Sequence, residues 1–183
     1  NVHAVVRFDN DIRGYVHHVY EDYVMVMKLD PTPVKIGMVC VIEREQLLTP
    51  IGKNYIGRVV NTFGEPIDGK GPIQPDGLWE VFHNAPMLYE RELLDTQLET
   101  GITVLDVNFS LVRGQRMAVL GDGKTGKTSM TTQIAINQKN TDITVIYVLI
   151  AKRQRDVAQL VDRLEKNDAL GKAIVIVTNM FES

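Results

Sequence analysis

Cysteine occurs once in the 183 residues, at Cys40. An internal disulfide is therefore excluded, and a cysteine-based zinc site has no ligand set; a reducing compartment fits. Charge of one sign is also lacking: 20 Lys and Arg against 23 Asp and Glu leave a net charge of −3. Such a balance creates no field that would draw the chain to nucleic acid or to anionic lipid. Long hydrophobic runs are missing too. The longest, Ile143 to Ala151, falls far short of the roughly 20 residues that cross a bilayer. No secretory signal opens the chain, so any membrane association is expected to be indirect. Internal repeats and low-complexity tracts are absent as well. What remains is 44% apolar and 23% charged, an ordinary globular composition that can bury a core but names no function.

Val2 to about Leu48 contains short runs of Val, Tyr and Met, such as Tyr23-Val24-Met25-Val26-Met27. Turn formers separate them at Asp30-Pro31, Pro33 and Gly37. These read as strands of a small sheet or barrel. From Asn61 to Gly77, seven glycines and prolines fall close together, the texture of a structured loop. Beyond about Gly101 the order changes. Met117-Ala118-Val119-Leu120 reads as a strand, Ser129 to Lys139 as a helix and Ile143 to Ile150 as a second strand. Val157, Leu160, Val161 and Leu164 recur at helical spacing, and Ala173 to Val177 reads as a third strand. That alternation predicts an α/β parallel sheet with covering helices.

Between the first of those strands and its helix stands Gly121-Asp122-Gly123-Lys124-Thr125-Gly126-Lys127-Thr128. The spacing is that of the phosphate-binding loop, in the strand-to-helix setting that gives the motif meaning. The glycines let backbone N–H groups turn toward phosphate oxygens, and the helix that starts here offers its positive end. Lys127 is expected to neutralise the β- and γ-phosphates, and Thr128 to place its hydroxyl on Mg²⁺. Lys124 and Asp122 read as solvated loop residues that can add charge or a cap, and Ser129 completes the set. Two other groups read as inert. His17 and His18 are adjacent, so a strand sends them to opposite faces, and with His3 and His83 they read as surface residues. Trp79, beside Leu78 and Phe82, reads as a packed loop anchor.

A longer resemblance runs through the chain. Gly57-Arg58-Val59-Val60-Asn61-Thr62-Phe63-Gly64-Glu65-Pro66-Ile67-Asp68-Gly69-Lys70-Gly71-Pro72-Ile73 resembles the segment shared by the α and β subunits of rotary F-type ATP synthases. Thr100-Gly101-Ile102 with Asp106, and then Arg113-Gly114-Gln115-Arg116, continue the family pattern. Gly121-Asp122 with Thr125-Gly126-Lys127-Thr128-Ser129, Ile136-Asn137-Gln138-Lys139 and Val157-Ala158-Gln159-Leu160-Val161 resemble the α branch. The likeness extends from about Val24 to Val177. It departs near Gln97, at Ser110-Leu111-Val112 and at Gly123-Lys124, which suggests a diverged or paralogous α-like subunit.

The resemblance implies an N-terminal β-barrel over residues 1–48 and the first part of a P-loop (RecA-like) nucleotide-binding domain over 49–183, in a chain that is a fragment. It implies ATP and Mg²⁺ as ligands and a hetero-hexameric ring with catalytic β-like subunits around a central-stalk subunit. The ring would sit peripherally on the cytoplasmic or matrix-side face of an energy-transducing membrane. It also aligns Lys152 with the position where catalytic subunits carry a glutamate. An ammonium group only donates hydrogen bonds and cannot take a proton from water, so the expected role is to bind ATP and hold it. Asp156, one helical turn on, is the weaker alternative base, and more simply a carboxylate favoured by the first turn of the next helix. Two alternatives stay open: a self-sufficient hexameric ATPase of the export or helicase type, and a degenerate scaffold subunit of a specialised F1-like motor.

Overall fold

The computed structural model of the protein describes residues 1–29 and 32–178. The turn expected at Asp30-Pro31 and the last five residues of segment 49–183 lie outside the described residues. The chain divides into two compact units, Asn1–Gly52 with Pro75–Ala85, and Lys53–Gln74 with residues 86–178.

The first unit is antiparallel. Strands β1 (Val5–Phe8), β2 (Arg13–Val19), β3 (Val24–Lys28) and β4 (Cys40–Arg44) form a sheet in the order β3-β2-β1-β4. Their alternation buries Ala4, Val6 and Val16 as a small core, with Phe8 and Val26 against it. Strand β5 (Leu48–Ile51) continues the chain, β6 (Val59–Asn61) belongs to the second unit, and β7 (Gly77–Glu80) returns to pair with β5. That return explains why Pro75–Ala85 clusters with the first unit, across the expected boundary at residue 48. A register shift between Val16 and His18 marks a bulge in β2. His17 packs edge-on against Tyr15, and His18 lies 4.4 Å from the Tyr20 ring. Trp79 is not a packed loop anchor: it lies in β7 and is 57% exposed, because the β5–β7 pair leaves that face uncovered.

The second unit is α/β. After β8 (Gln97–Leu98), helix α1 (Thr103–Asn108) and β9 (Leu111–Val112) come helix α2 (Lys127–Asn137), β10 (Val145–Ile150), helix α3 (Gln154–Lys166) and β11 (Ala173–Thr178). The sheet is parallel, in the order β10-β11-β6. The β-branched runs of β10 and β11 suit an extended, half-buried backbone. Helix α3 presents Val157, Leu160 and Leu164 at helical spacing to that sheet. They join Ala135, Ile136, Val175 and Val177 in one core, with Leu164 and Val175 fully buried. Each such side chain contributes about 1.5–3 kcal/mol. No helix among the described residues is long and apolar enough to cross a membrane.

One expected strand does not form. Met117 to Leu120 has no ladder partner, and Leu120 is 91% exposed. An apolar run becomes a strand only where a sheet edge receives its N–H and C=O groups, and neither β10 nor β6 pairs with it.

Candidate functional site

The loop at 121–128 starts from local conformations that its residues make affordable. Gly126, at φ 91°, caps the start of α2 in the left-handed region, and Lys124 holds φ 65°. No side chain caps α2, so its leading N–H groups keep their capacity for an anion. The loop is bonded mainly to itself. Thr125 donates its hydroxyl to the Asp122 carbonyl at 2.9 Å, and the Lys127 ammonium reaches the carbonyls of Gly121, at 2.6 Å, and of Asp122. Lys127 is half-buried and lies across the loop, while Asp122, Gly123 and Lys124 are exposed.

Helix α2 is anchored at its other end. Asn137 donates to the Thr100 carbonyl at 2.9 Å, and the buried Gln138 donates to the Glu99 carbonyl at 2.8 Å. The receiving segment is shaped by Asp106, whose carboxylate accepts from the Thr100 hydroxyl and N–H and from the Gly101 N–H. Those bonds, the Thr100 hydroxyl first, hold its carboxyl below the ordinary carboxylate range. Gly101 has φ 73°, and a Cβ there would collide with the Asn137 amide. The loop is thus carried on a helix whose far end is fixed.

Beside the start of α2, a cavity of about 380 Å³ opens between that helix, the end of β10 and α3. Thr128, Ser129, Lys152 and Asp156 line it, and so do Thr132 and Arg163. The structure therefore brings Thr128 and Ser129 together with Lys152 and Asp156, while Gly121 to Lys127 lie outside this cavity's lining. Asp156 stands in the first turn of α3, and Lys152 lies one residue before its N-cap, Arg153. Among the wall residues that sequence reading missed are Thr132 and Arg163. Both had a signal: Thr132 lies one turn after Thr128, and Arg163 two turns after Asp156, so each shares a helix face with an expected residue. Thr132 is buried and donates to the Thr128 carbonyl at 2.7 Å. Tyr147, on β10, ties that strand to α2 by donating to the Thr131 carbonyl at 2.9 Å, and burial pushes its phenol up.

The oxygen donors present suit Mg²⁺ held on phosphates, since that ion takes one or two protein oxygens and otherwise water and phosphate. The Thr128 hydroxyl and the Asp156 carboxylate are of that kind. No group of three or more His, Cys, Asp or Glu that could cage a metal alone occurs among the described residues.

Residues 101–183 match the nucleotide-binding domain of the ATP synthase alpha/beta family. Over 180 residues, 98% of this chain, it is 39% identical to the ATP synthase subunit alpha of Caldanaerobacter subterraneus subsp. tengcongensis, and covers 36% of that protein. It is 43% identical over 137 residues, 75% of this chain, to the proteins of that name from Shewanella baltica and Yersinia pestis, and covers 27% of each. The chain thus spans about a third or less of the length of these relatives.

Proposed function

Because the chain belongs to the ATP synthase alpha/beta family, as an α-subunit-like member, we propose that it binds Mg-ATP at Gly121–Ser129 and does not hydrolyse it. Its role is then structural and regulatory, beside catalytic β-like subunits that surround a central stalk in an ion-translocating F1-type ring. That ring sits peripherally at the cytoplasmic or matrix-side face of an energy-transducing membrane and involves no nucleic acid. The first unit supplies strands of the N-terminal β-barrel, and the second is the first part of the P-loop domain.

One observation carries the proposal: the cavity that Thr128 lines is also lined by Lys152, two residues past the end of β10. Hydrolysis needs a group there that orients and deprotonates water, and an ammonium cannot accept that proton. The remaining residues have binding roles. The Lys127 charge and the uncapped N–H groups of α2 take phosphate oxygens, and Gly126 permits the turn that aims those groups outward. Mg²⁺, when bound, neutralises phosphate charge and fixes the phosphate oxygens relative to one another. The Thr128 hydroxyl is the protein oxygen that would hold it.

Asp156 supports a second reading. It lines the same cavity and carries a carboxylate, so a self-sufficient hexameric ATPase with Asp156 as base remains the competing mechanism. Binding and steady-state hydrolysis of Mg-ATP by the full-length protein separate the two. The wild type is expected to bind without turnover, and Lys127→Ala to weaken binding by about 100-fold through loss of charged hydrogen bonds. Turnover that Asp156→Asn abolishes would overturn the non-catalytic reading.

A further inference from the structure

The lining of the cavity beside the phosphate loop carries a net positive charge. Lys152 and Arg163 both line it, with Asp156 as the one carboxylate. None of the three has an ion-pair partner among the described residues. The wall therefore holds two cations against one anion, next to the hydroxyl of Thr128.

The backbone makes an effort to put Lys152 there. Ala151, the residue after β10, holds φ 54°, a left-handed conformation that costs a residue with a Cβ about 1–2 kcal/mol. Such strain persists where the surroundings impose it, and it gathers at ligand sites. Here it turns the chain out of the strand and delivers Lys152 to the head of α3 and the cavity wall.

We infer that Lys152 takes over part of the charge compensation that a divalent cation supplies, so that this site binds ATP with only weak dependence on Mg²⁺. The inference rests on the nucleotide-binding reading above. An ammonium offers three donors to phosphate oxygens and nothing to a metal. A cation in the same cavity also opposes the arrival of a second one, because like charges repel more strongly where water is partly excluded. Lys152 therefore strengthens binding of the metal-free nucleotide while lowering the advantage that Mg²⁺ adds.

The test is equilibrium binding of ATP to the full-length protein, by calorimetry, in excess Mg²⁺ and in excess EDTA. Lys152 is exposed, so its substitution leaves the fold intact. The wild type is expected to lose less than about 5-fold in affinity on removal of Mg²⁺, Lys152→Gln more than about 20-fold, and Lys152→Arg to behave as the wild type. A wild-type loss as large as that of Lys152→Gln overturns the inference while leaving the nucleotide reading in place, provided Lys127→Ala still weakens binding in Mg²⁺ by about 100-fold. If the wild type fails to bind ATP in Mg²⁺ as well, the nucleotide reading falls and takes this inference with it.

Discussion

Two glycine-rich loops in the second unit make opposite use of the same residue types. In the loop after β6, polar groups are consumed internally. Asp68 is 6% exposed and accepts from both Nε and Nη2 of Arg58, at 2.7 and 2.9 Å, and from the N–H groups of Val59 and Lys70. Asn61 does the same for the turn, accepting from Phe63 and Glu65 and donating to the Glu65 carboxylate. In the loop before α2, the bonds are few and run between neighbours, the residues are mostly exposed and the helix start is uncapped. A loop that serves the fold satisfies its own polar groups. A loop that leads into an uncapped helix leaves that helix's first N–H groups available to an anion.

The largest effect that would break this contrast is at Asp68. Asp68→Ala leaves Arg58, itself only 15% exposed, without its partner, and should destabilise the second unit by about 3–5 kcal/mol in urea unfolding. If the loss is below about 1 kcal/mol, this loop is no more structural than the phosphate loop.

A smaller effect follows with pH. The Arg58 guanidinium holds the Asp68 carboxyl well below the usual carboxylate range, helped by the Lys70 and Val59 N–H groups, and Asp106 is shifted the same way. For a depressed folded pKa, the stabilisation is fully present above the unfolded value of about 3.9, and it is lost as pH falls from there toward the folded value. Thermal melts from pH 6 downward should therefore show Tm falling below about pH 4. Asp68→Asn should flatten that fall.

The smallest effect sharpens the contrast from the other side. Gly123 has no positive φ, and a Cβ added there meets nothing within 4 Å. Gly123→Ala should change stability by less than about 0.5 kcal/mol in the same melts. A larger loss would mean that the phosphate loop is packed for the fold as well.

Much of the second unit was legible in the chain. The helical spacing of Val157, Leu160 and Leu164 predicted α3, the β-branched runs predicted β10 and β11, and the family resemblance was legible in the Gly57–Ile73 run. The strand expected at Met117–Leu120 was misjudged because apolar character states only that a segment can pair. The loop-like texture of Asn61–Gly77 was apparent, yet the bidentate Arg58–Asp68 pair was not, since ten residues of irregular backbone separate the two side chains. Trp79 was misplaced because β7 pairs with β5, a contact no local pattern reports.

By itself, the sequence determined the family and most of the α/β order, and it carries the phosphate-loop motif, because each depends on residue identity at short, fixed spacings. Only the tertiary structure decided that Lys152, Arg163 and Asp156 share a wall with Thr128, that Gln138 and Asn137 anchor α2 through Glu99 and Thr100, and that Pro75–Ala85 rejoins the first unit. Those outcomes depend on where the chain returns in space. That is set by packing and by backbone turns such as the one at Ala151, which no short spacing encodes.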